Sequence, residues 1–547
     1  MSNSIPFGAP STGWNFASAF ELIATHLPDA PAQEHRDTVH TWSAFNARAN
    51  AVARTLLQRG VAHQDKVAQY LYNCPQYLES IVAAFKVGLA PVNTNYRYTD
   101  DELVYLWDNA DAVSVVFHGA FVETVERIRH RVPRVHTWLF VDDGTAPCPS
   151  WAIDYESIAT TMDDGSGDTT GPWGRSGDDL LLLYTGGTTG MPKGVMWRQE
   201  DLFLTLDGTN KKRLPPTPDV VALGERTRKP GPRNLPAAPL MHGTGLFNAL
   251  SNLMVAGCII TLAGRKFDPI ELLDTIESKK VNSMSIVGDA FAKPILRALD
   301  EHPGRWDISS LRVIVSSGVM FAADTKAGLL RHNERLILVD ALGSSEAIGM
   351  AQNTTSADGE SRTASFVLGP NTRVLTEDGR EVSPGSDEMG RVALRGNTPI
   401  GYYKDPEKSA QTFQIIDGVR WSIPGDWARV DADGSVQLLG RGSQCINTGG
   451  EKVYPEEVEE ILKLHPAVAD AAVVGLPDDR FGQSVTALVE FLPGQRADDA
   501  DLISHTRQHL AAYKAPRGIV VVETLARANN GKLDYKSLTE RARNALR

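Results

Sequence analysis

An apolar segment followed directly by a loop of small, hydroxyl-bearing residues is the first feature of this chain that could do chemistry. Residues 180–184 read Leu-Leu-Leu-Leu-Tyr, and residues 185–194 read Thr-Gly-Gly-Thr-Thr-Gly-Met-Pro-Lys-Gly. Glycines let backbone N–H groups approach phosphate oxygens, threonine hydroxyls add donors, and Lys193 supplies a positive charge. The loop therefore predicts a phosphate-binding site at the end of a strand, rather than a plain glycine-rich hairpin.

The spacing of this loop differs from that of the P-loop kinases and GTPases. A Walker A loop ends in Gly-Lys-Ser/Thr. Lys193 instead follows Pro192 and precedes Gly194. The loop therefore indicates phosphate binding in a different class of protein.

Further glycine and charged positions follow in a fixed order along the chain. They are Pro239-Leu-Met-His242-Gly, Asp340-Ala-Leu-Gly-Ser-Ser-Glu346, Gly425-Asp426, Gly440-Arg441, Asn447-Thr-Gly-Gly-Glu-Lys-Val-Tyr-Pro455-Glu-Glu-Val-Glu459 and Asn530-Gly-Lys532. Together with the phosphate loop they resemble the ordered motifs of the adenylate-forming superfamily, which includes acyl-CoA synthetases, the adenylation domains of nonribosomal peptide synthetases and beetle luciferases. The resemblance covers nearly the whole chain. Residues 93–98, 184–198 and 440–455 look like those of actinobacterial acyl-CoA synthetases, some of which act on steroid side-chain carboxylates.

The resemblance implies an α/β fold and a two-step reaction. Residues 1–440 would form a large domain of αβ-layered subdomains that binds ATP and an acid. Residues 441–547 would form a small, mobile α+β domain that carries the catalytic lysine and the thiolation face, with a hinge near Ser443. ATP and Mg²⁺ would convert the carboxylate to an acyl-adenylate, and coenzyme A would then accept the acyl group after the small domain moves.

The same resemblance assigns roles to individual residues. Catalytic roles fall to Thr185, His242, Glu346 and Lys532, with Glu346 also the Mg²⁺ ligand. ATP and AMP would contact Thr185, Gly186, Gly187, Thr188, Thr189, Gly190, Lys193, Ser317, Gly318, Asp340, Ala341, Leu342, Gly343, Ser344, Ser345, Asp426, Arg441 and Lys532. The acyl pocket would include His242, Phe247, Val287 and Gly288, and Gly449 and Gly450 would contact coenzyme A. His242 could instead be a satisfied core histidine.

Two positions depart from the family's pattern. Leu342 stands where relatives commonly place an aromatic residue against adenine, so nucleotide stacking could be weaker. Ser443 stands at the hinge position that is often Asp or Lys. A small residue can absorb large backbone rotations, so the expected hinge motion is retained.

Strands and helices must alternate to hold these motifs in place. Residues 43–59 have helical apolar spacing, residues 66–72 indicate a strand, and residues 80–87 indicate a helix. This alternation predicts α/β layers. Residues 142–179 and 209–239 are rich in loop-forming residues and are expected to be connections. Residues 427–439 predict two strands that turn at Asp433-Gly434, and Pro455 followed by acidic residues predicts a helix start.

The residues near the predicted acyl pocket favour an apolar, bulky or fatty acid. An amino-acid-activating site would need a carboxylate near Phe247, and residues 246–249 read Leu-Phe-Asn-Ala. No carrier segment follows the small domain, which favours coenzyme A as the acceptor. Two alternatives stay open, namely an acyl-AMP ligase that loads a carrier-protein thiol and a nucleotide-binding pseudoenzyme.

Composition excludes several other classes of protein. The chain has 55 Lys and Arg against 67 Asp and Glu, a net charge of −12, which argues against a nucleic-acid partner. No Lys or Arg precedes Arg36 and no apolar run is long enough for a membrane span, so neither a secretion signal nor a transmembrane segment is expected. The scattered cysteines fit a cytoplasmic protein without disulfides or zinc. The sequence also allows a homodimer.

Overall fold

The computed structural model describes residues 13–161, 169–185, 191–210, 212–319, 321–358, 365–441, 446–448, 451–478, 482–510, 512–528 and 533–546. The strands in chain order are β1 (Pro31–His35), β2 (Thr38–Thr41), β3 (Lys66–Tyr70), β4 (Ala90–Asn93), β5 (Ala112–His118), β6 (Thr137–Val141), β7 (Ile153–Asp154), β8 (Leu180–Thr185), β9 (Lys193–Arg198), β10 (Arg233–Pro236), β11 (Cys258–Thr261), β12 (Ser283–Ile286), β13 (Val313–Ser317), β14 (Ile337–Ser344), β15 (Ala347–Thr355), β16 (Ser365–Leu368), β17 (Thr372–Leu375), β18 (Met389–Arg395), β19 (Gly401–Tyr402), β20 (Phe413–Ile416), β21 (Val419–Ser422), β22 (Asp426–Val430), β23 (Val436–Arg441), β24 (Ile446–Thr448), β25 (Glu451–Val453), β26 (Val468–Asp478), β27 (Gly482–Phe491) and β28 (Gly518–Val521).

The α-helices surround and separate these strands. They are α1 (Phe16–His26), α2 (Trp42–Gln58), α3 (Pro75–Lys86), α4 (Asp100–Asn109), α5 (Val122–Ile128), α6 (Tyr155–Ala159), α7 (Gln199–Asp207), α8 (Val220–Arg226), α9 (Gly243–Leu253), α10 (Pro269–Ser278), α11 (Asp289–Glu301), α12 (Ala323–His332), α13 (Pro406–Thr412), α14 (Pro455–Lys463), α15 (Asp499–His509) and α16 (Tyr535–Ala545). Strand and helix alternate through most of the first 340 residues, which is the α/β pattern expected from the sequence.

One sheet carries the phosphate loop. Its eight strands lie in the order β19-β9-β8-β4-β3-β5-β6-β7. Neighbouring strands are parallel from β8 through β4, β3 and β5 to β6, whereas β8 and β9 form an antiparallel pair. Thr185 is opposite Lys193 in that pair, so the two ends of the predicted phosphate loop are adjacent.

A second, fifteen-stranded sheet carries the other motifs of the large domain. Its first part runs β2-β1-β11-β10-β12-β13-β14-β15-β16, and it continues into β23-β22-β18-β21-β20, with β17 paired to β18 beside this path. Strands β10, β12, β13 and β14 are parallel neighbours. Their carboxyl ends therefore meet at one edge of the sheet, the usual place for a ligand in such an arrangement.

A third sheet of five strands belongs to the C-terminal part of the chain. Its order is β25-β24-β27-β26, with β28 added beside β27. Val458 and Leu462 of α14 pack with Val473 and Val485 of the sheet in a core of their own. The fold is thus the expected large N-terminal and small C-terminal domain, and α14 begins at Pro455 as predicted.

Two segments expected to be connections contain regular structure. Residues 142–179 include β7 and α6, and Tyr155 of α6 is fully buried. Residues 209–239 include α8 and β10, and β10 lies between β11 and β12 inside the large sheet. Both predictions were wrong because these elements have only two to seven residues each, too few to show a clear periodicity among their proline and polar neighbours.

The described part of the chain contains no helix that combines the length and apolar character needed to cross a bilayer.

A buried ion network ties the N-terminal helices together. Arg48 of α2 donates from Nε to Glu79 Oε1 at 2.8 Å and from Nη2 to Glu79 Oε2 at 3.1 Å. The same guanidinium donates to both carboxylate oxygens of Glu156 at 2.9 and 2.7 Å. Glu79 of α3 is fully buried, so its charge depends on this arginine for compensation.

We expect Arg48→Met to lower the free energy of unfolding by about 3–5 kcal/mol, because it leaves the Glu79 carboxylate buried without its main partner. Denaturant unfolding followed by fluorescence measures this change. Arg228→Met is the matched control. Arg228 pairs with Glu225 at 3.4 Å, with both side chains mostly exposed, so its loss should cost less than about 1 kcal/mol. Equal effects of the two substitutions would contradict the assignment.

Candidate active site

The strand pair β8–β9 presents Lys193 at one end of the phosphate loop. The Lys193 ammonium lies 3.6 Å from Asp405 Oδ2 and 5.6 Å from the centroid of the Tyr402 ring. Strand β19 brings Tyr402 here because Tyr402 pairs with Val195 of β9. Lys193 is half-buried at the end of the predicted phosphate loop.

Glu346 occupies the turn between β14 and β15, and three elements hold that turn. The Tyr402 hydroxyl donates to Glu346 Oε1 at 2.8 Å. Ser422 Oγ of β21 donates to the Glu346 carbonyl oxygen at 2.7 Å, and Trp197 Nε1 of β9 donates to the Ser345 carbonyl oxygen at 2.9 Å. Tyr402 thus lies between the Lys193 ammonium and the Glu346 carboxylate, and the two predicted residues face the same region.

The donor set around Glu346 suits Mg²⁺ bound together with phosphate. Among the described side chains, no group of three or more His, Cys, Asp or Glu could hold a metal by itself. Mg²⁺ is commonly held by one or two carboxylates together with substrate phosphates, so a protein cage is not required. A carboxylate that accepts one hydrogen bond retains the capacity to bind a cation.

Asn93, at the end of β4, joins the phosphate-loop strand to the His242 segment. Its side-chain amide donates to the Tyr184 carbonyl oxygen at 2.8 Å and to the Met241 carbonyl oxygen at 2.7 Å. Its Oδ1 accepts from the Tyr184 N–H at 2.5 Å. Asn93 is 5% exposed, so these contacts are shielded from water. In the sequence, residues 93–98 show only a family resemblance, which predicts no structural role for Asn93.

The predicted acyl and nucleotide residues lie side by side at the carboxyl ends of β12, β13 and β14. Gly288 has a φ of +50° and donates its N–H to Ser316 Oγ at 3.0 Å. Gly318 has a φ of +92°, and a Cβ placed there would lie 3.8 Å from Val287 Cγ1. Ser317 is opposite Ala341 in the sheet. The structure thus brings Val287 and Gly288 next to Ser317, Gly318 and the start of the 340–346 segment.

Leu342 and Gly343 complete strand β14 before the Glu346 turn. Leu342 is partly buried and packs against the cluster that contains Ala347 and Met350. A Cβ at Gly343 would lie 3.1 Å from the Ala347 carbonyl oxygen, so the bulge before Ser344 favours a residue without a side chain. The Leu342 side chain is therefore held in place by this packing, and its contact with a purine stays a prediction.

Asp426 and Arg441 are opposite each other in the β22–β23 pair. Asp426 is 7% exposed and starts β22 directly after Gly425, whose φ is +106°. The two residues predicted to reach the ribose side of a nucleotide are therefore neighbours across one strand pair, although fourteen other residues separate them in the chain.

His242 and Phe247 lie at and within α9. His242 immediately precedes the helix, and Phe247 is buried with its ring 6.2 Å from that of Trp197 in an edge-on contact. A Cβ at Gly245 would lie 2.4 Å from the Pro239 carbonyl oxygen, so α9 can start here only with glycine at that position. Trp197 also donates a hydrogen bond to the Ser345 carbonyl oxygen, so the same side chain contacts both α9 and the Glu346 turn.

Several predicted residues lie outside the described residues. They are Gly186, Gly187, Thr188, Thr189, Gly190, Ser443, Gly449, Gly450 and Lys532, and only the backbone of Arg441 is described. Their assigned roles stay predictions.

Sequence comparison places the chain among nucleotide-using enzymes. The family model for the AMP-binding enzyme matches residues 20–403, and that for the AMP-binding enzyme C-terminal domain matches residues 457–532. A medium/long-chain-fatty-acid–CoA/3-oxocholest-4-en-26-oate–CoA ligase of Mycolicibacterium smegmatis is 38% identical over 535 residues, which are 95% of each chain. A 3-oxocholest-4-en-26-oate–CoA ligase of Rhodococcus rhodochrous has the same identity and coverage.

Solved structures show the same fold. An anthranilate CoA ligase, AuaEII, in complex with anthranoyl-AMP superposes with a TM-score of 0.83 at 24% identity and covers 98% of both chains. ATP-bound MatB from Rhodopseudomonas palustris gives 0.79 at 26% identity, covering 96% of this chain and 99% of that one.

We expect Asn93→Ala to lower the free energy of unfolding by about 2–4 kcal/mol, because it leaves buried backbone groups of Tyr184 and Met241 without a partner. Denaturant unfolding checks this value. Asn95→Ala is the control: Asn95 accepts one local bond from the Arg97 N–H at 3.0 Å, and its loss should cost less than about 1 kcal/mol. A cost at Asn93 no larger than that at Asn95 would contradict the linking role.

Proposed function

The chain belongs to the AMP-binding enzyme family, and from this we propose that it joins an apolar carboxylic acid to coenzyme A in an ATP-dependent reaction. The observation that carries the proposal is the convergence of Lys193, Glu346 and the carboxyl ends of β12 to β14 around one region. Two relatives whose sequences are 38% identical to this one over 95% of the chain are named as CoA ligases, which supports the proposal.

The first step makes the carboxylate reactive. A carboxylate oxygen attacks the α-phosphorus of ATP, the bond to the β-phosphate bridging oxygen breaks, and pyrophosphate leaves. Two anions must approach each other, so the site has to supply positive charge at the phosphates. We assign this task to Lys193 at the loop and to Lys532, which stabilises the charge that develops between carboxylate and α-phosphate.

Glu346 would hold Mg²⁺ against the phosphates, and the metal would neutralise their charge when it is bound. The Tyr402 hydroxyl keeps Oε1 of that carboxylate in place at 2.8 Å. Backbone and hydroxyl donors of Thr185, residues 186–190, Ser344 and Ser345 surround the phosphates in this proposal.

The nucleoside would lie between β14 and the β22–β23 pair. Asp426 accepts hydrogen bonds from the ribose hydroxyls, a task that suits a carboxylate with two acceptor oxygens. Arg441 approaches from the opposite strand. The purine packs on Leu342 and on the backbone of residues 340–343, with Ser317 and Gly318 beside it.

The second step transfers the acyl group to sulfur. The thiolate of coenzyme A attacks the carbonyl carbon of the acyl-adenylate, and AMP leaves. We propose that residues 441–547 swing about Ser443 between the steps, which withdraws Lys532 and brings Gly449 and Gly450 to the pantetheine arm. His242 would stand between the nucleotide site and the thiol path.

Phe247 and Val287 favour a bulky apolar or fatty acid. Both are buried apolar residues. Asn248, next to Phe247, accepts a hydrogen bond from Asn234 at 2.9 Å and brings no charge that could pair with a substrate ammonium. Medium- or long-chain fatty acids and steroid side-chain acids are therefore the first candidates, and the cysteine pattern favours a cytoplasmic reaction.

A panel of acids with ATP, Mg²⁺ and coenzyme A tests this function. We expect acyl-CoA from octanoate, palmitate or a steroid side-chain acid. 2-Aminooctanoate, a matched control with an added ammonium group, should react at least about tenfold more slowly, because burying an unpaired charge is costly. Mass spectrometry of the thioester gives the readout. Thioester formed only on a pantetheinylated carrier protein would favour the alternative acyl-AMP ligase.

We expect Lys532→Ala to slow adenylate formation by roughly 100-fold or more, because a group aimed at developing charge acts mainly in that step. Thioester formation from supplied acyl-AMP should be largely retained. Separate assays of the two half-reactions measure this difference. Lys536→Ala is the control, since Lys536 is an exposed lysine of α16. Equal loss of both half-reactions in Lys532→Ala would contradict its role.

A further inference from the structure

Lys326 is a fully buried lysine with an unusual environment. It lies in α12 and has no exposed surface. Its ammonium makes no hydrogen bond to the described residues, and the nearest carboxylate oxygen is Asp340 Oδ2 at 3.5 Å. The ring of Phe321 lies 5.2 Å from the ammonium.

Burial of an ammonium is expensive, and packing alone does not account for it. Removing such a group from water costs several kcal/mol, and an apolar side chain of similar volume usually replaces a buried pair without loss of stability. A methionine would fill the space between α12 and β14 at lower cost. Packing alone therefore does not explain why a charged side chain occupies this position, and a neighbouring group must interact with the ammonium.

The neighbouring group is Asp340, whose position in the sheet places its carboxylate beside the Lys326 ammonium. It lies in β14, two residues after Leu338, so both side chains are on the face that packs against α12. Its backbone is opposite Ser316 of β13 and Asn353 of β15. Asp340 is thus fixed on both sides, at the start of the segment proposed to contact the nucleotide.

Other acidic groups face Asp340 from neighbouring elements. Burial raises the pKa of Asp340 to about 6, Lys326 opposes that rise, and Asp289 at the start of α11 adds to it. Burial raises the pKa of Glu460 in α14 to about 7, Lys463 opposes it, and the charges of Glu459 and Asp340 contribute to the rise.

The positive charges near these acids are not equivalent. Lys293 lies 3.7 Å from Asp289, and Lys463 acts on Glu460 and on Asp289. Lys326 is the cation that contacts Asp340 itself among the described residues. Without it, Asp340 would share a buried region with two further carboxyl groups and no direct counter-ion.

We propose that Lys326 is a positioning residue of the nucleotide site, which keeps Asp340 charged and in place so that its carboxylate can accept hydrogen bonds from the bound nucleotide. The inference rests on the proposed function, because it takes residues 340–345 as the nucleotide segment. Lys326 itself does not need to touch the nucleotide.

The test is equilibrium binding of AMP, measured by calorimetry between pH 5.5 and 8.5. At pH 7, Lys326→Met should bind AMP roughly 10- to 100-fold more weakly than the unaltered protein, as expected for loss of a charge-assisted hydrogen bond. Lys326→Arg keeps the positive charge and should restore most of the affinity.

The pH profile separates this role from a purely structural one. In the unaltered protein, affinity should fall as pH falls through about 6, where Asp340 takes up a proton. In Lys326→Met the fall should begin at a higher pH, because the carboxyl group has lost the cation that favours its charged form. Asp340→Asn should weaken binding at pH 7 and above, where Asp340 is charged, and should make the fall in affinity near pH 6 smaller. The part of the fall that remains belongs to the AMP phosphate, whose second pKa is also about 6.

Lys293→Met is the matched control on α11, and it should leave AMP affinity within about threefold, because its half-exposed ammonium pairs with Asp289. Lys326→Met with lowered stability but unchanged AMP affinity and pH profile would overturn the proposal. If Lys326→Met does not fold, Asp340→Asn decides: an AMP affinity equal to that of the unaltered protein at pH 7 and above would overturn the proposal. Absence of AMP binding by the unaltered protein would instead overturn the proposed function.

Discussion

Parallel strands that share a sheet all end at the same edge, and the arrangement of this molecule depends on that constraint. Strands β12, β13 and β14 carry Val287, Ser317 and Asp340 to one edge, although more than fifty residues separate the first from the last. In the other sheet, β4 and β8 also run parallel, so Asn93 and Tyr184 end together. The proposed site lies where these two edges meet.

The junction between the two sheets is made by side chains rather than by strand pairing. Trp197 and Tyr402 belong to the eight-stranded sheet, and both bond to the turn at Ser345 and Glu346 that follows β14. Asn93 similarly bonds to the Met241 carbonyl oxygen before α9. These bonds hold a cation-bearing strand and an acidic turn at a fixed separation. A reaction between two anions needs such preorganised charge, because there is then little reorganisation when the charge shifts.

Much of the fold could be predicted from sequence, and candidate residues could be named. This was possible because glycine, hydroxyl-bearing and charged residues are closely spaced in motifs that follow one another in a fixed order. The phosphate-loop strand, the start of α14 at Pro455 and the turn at Gly434 all follow from local rules. Asn93, Tyr402 and Lys326 could not be assigned these roles in the same way. Each acts through partners that are distant in sequence, and an isolated Asn, Tyr or Lys carries no local signal of that contact. Strand β10 was missed because four residues next to prolines give no periodicity.

We propose that this site activates a carboxylate as an adenylate before any thiol takes part. Exchange of labelled pyrophosphate into ATP, measured without coenzyme A, tests that claim most directly. We expect exchange that requires both Mg²⁺ and an apolar carboxylic acid and that is strongly reduced in Glu346→Gln. Folded protein that shows no acid-dependent exchange with fatty, aromatic or steroid acids would contradict it.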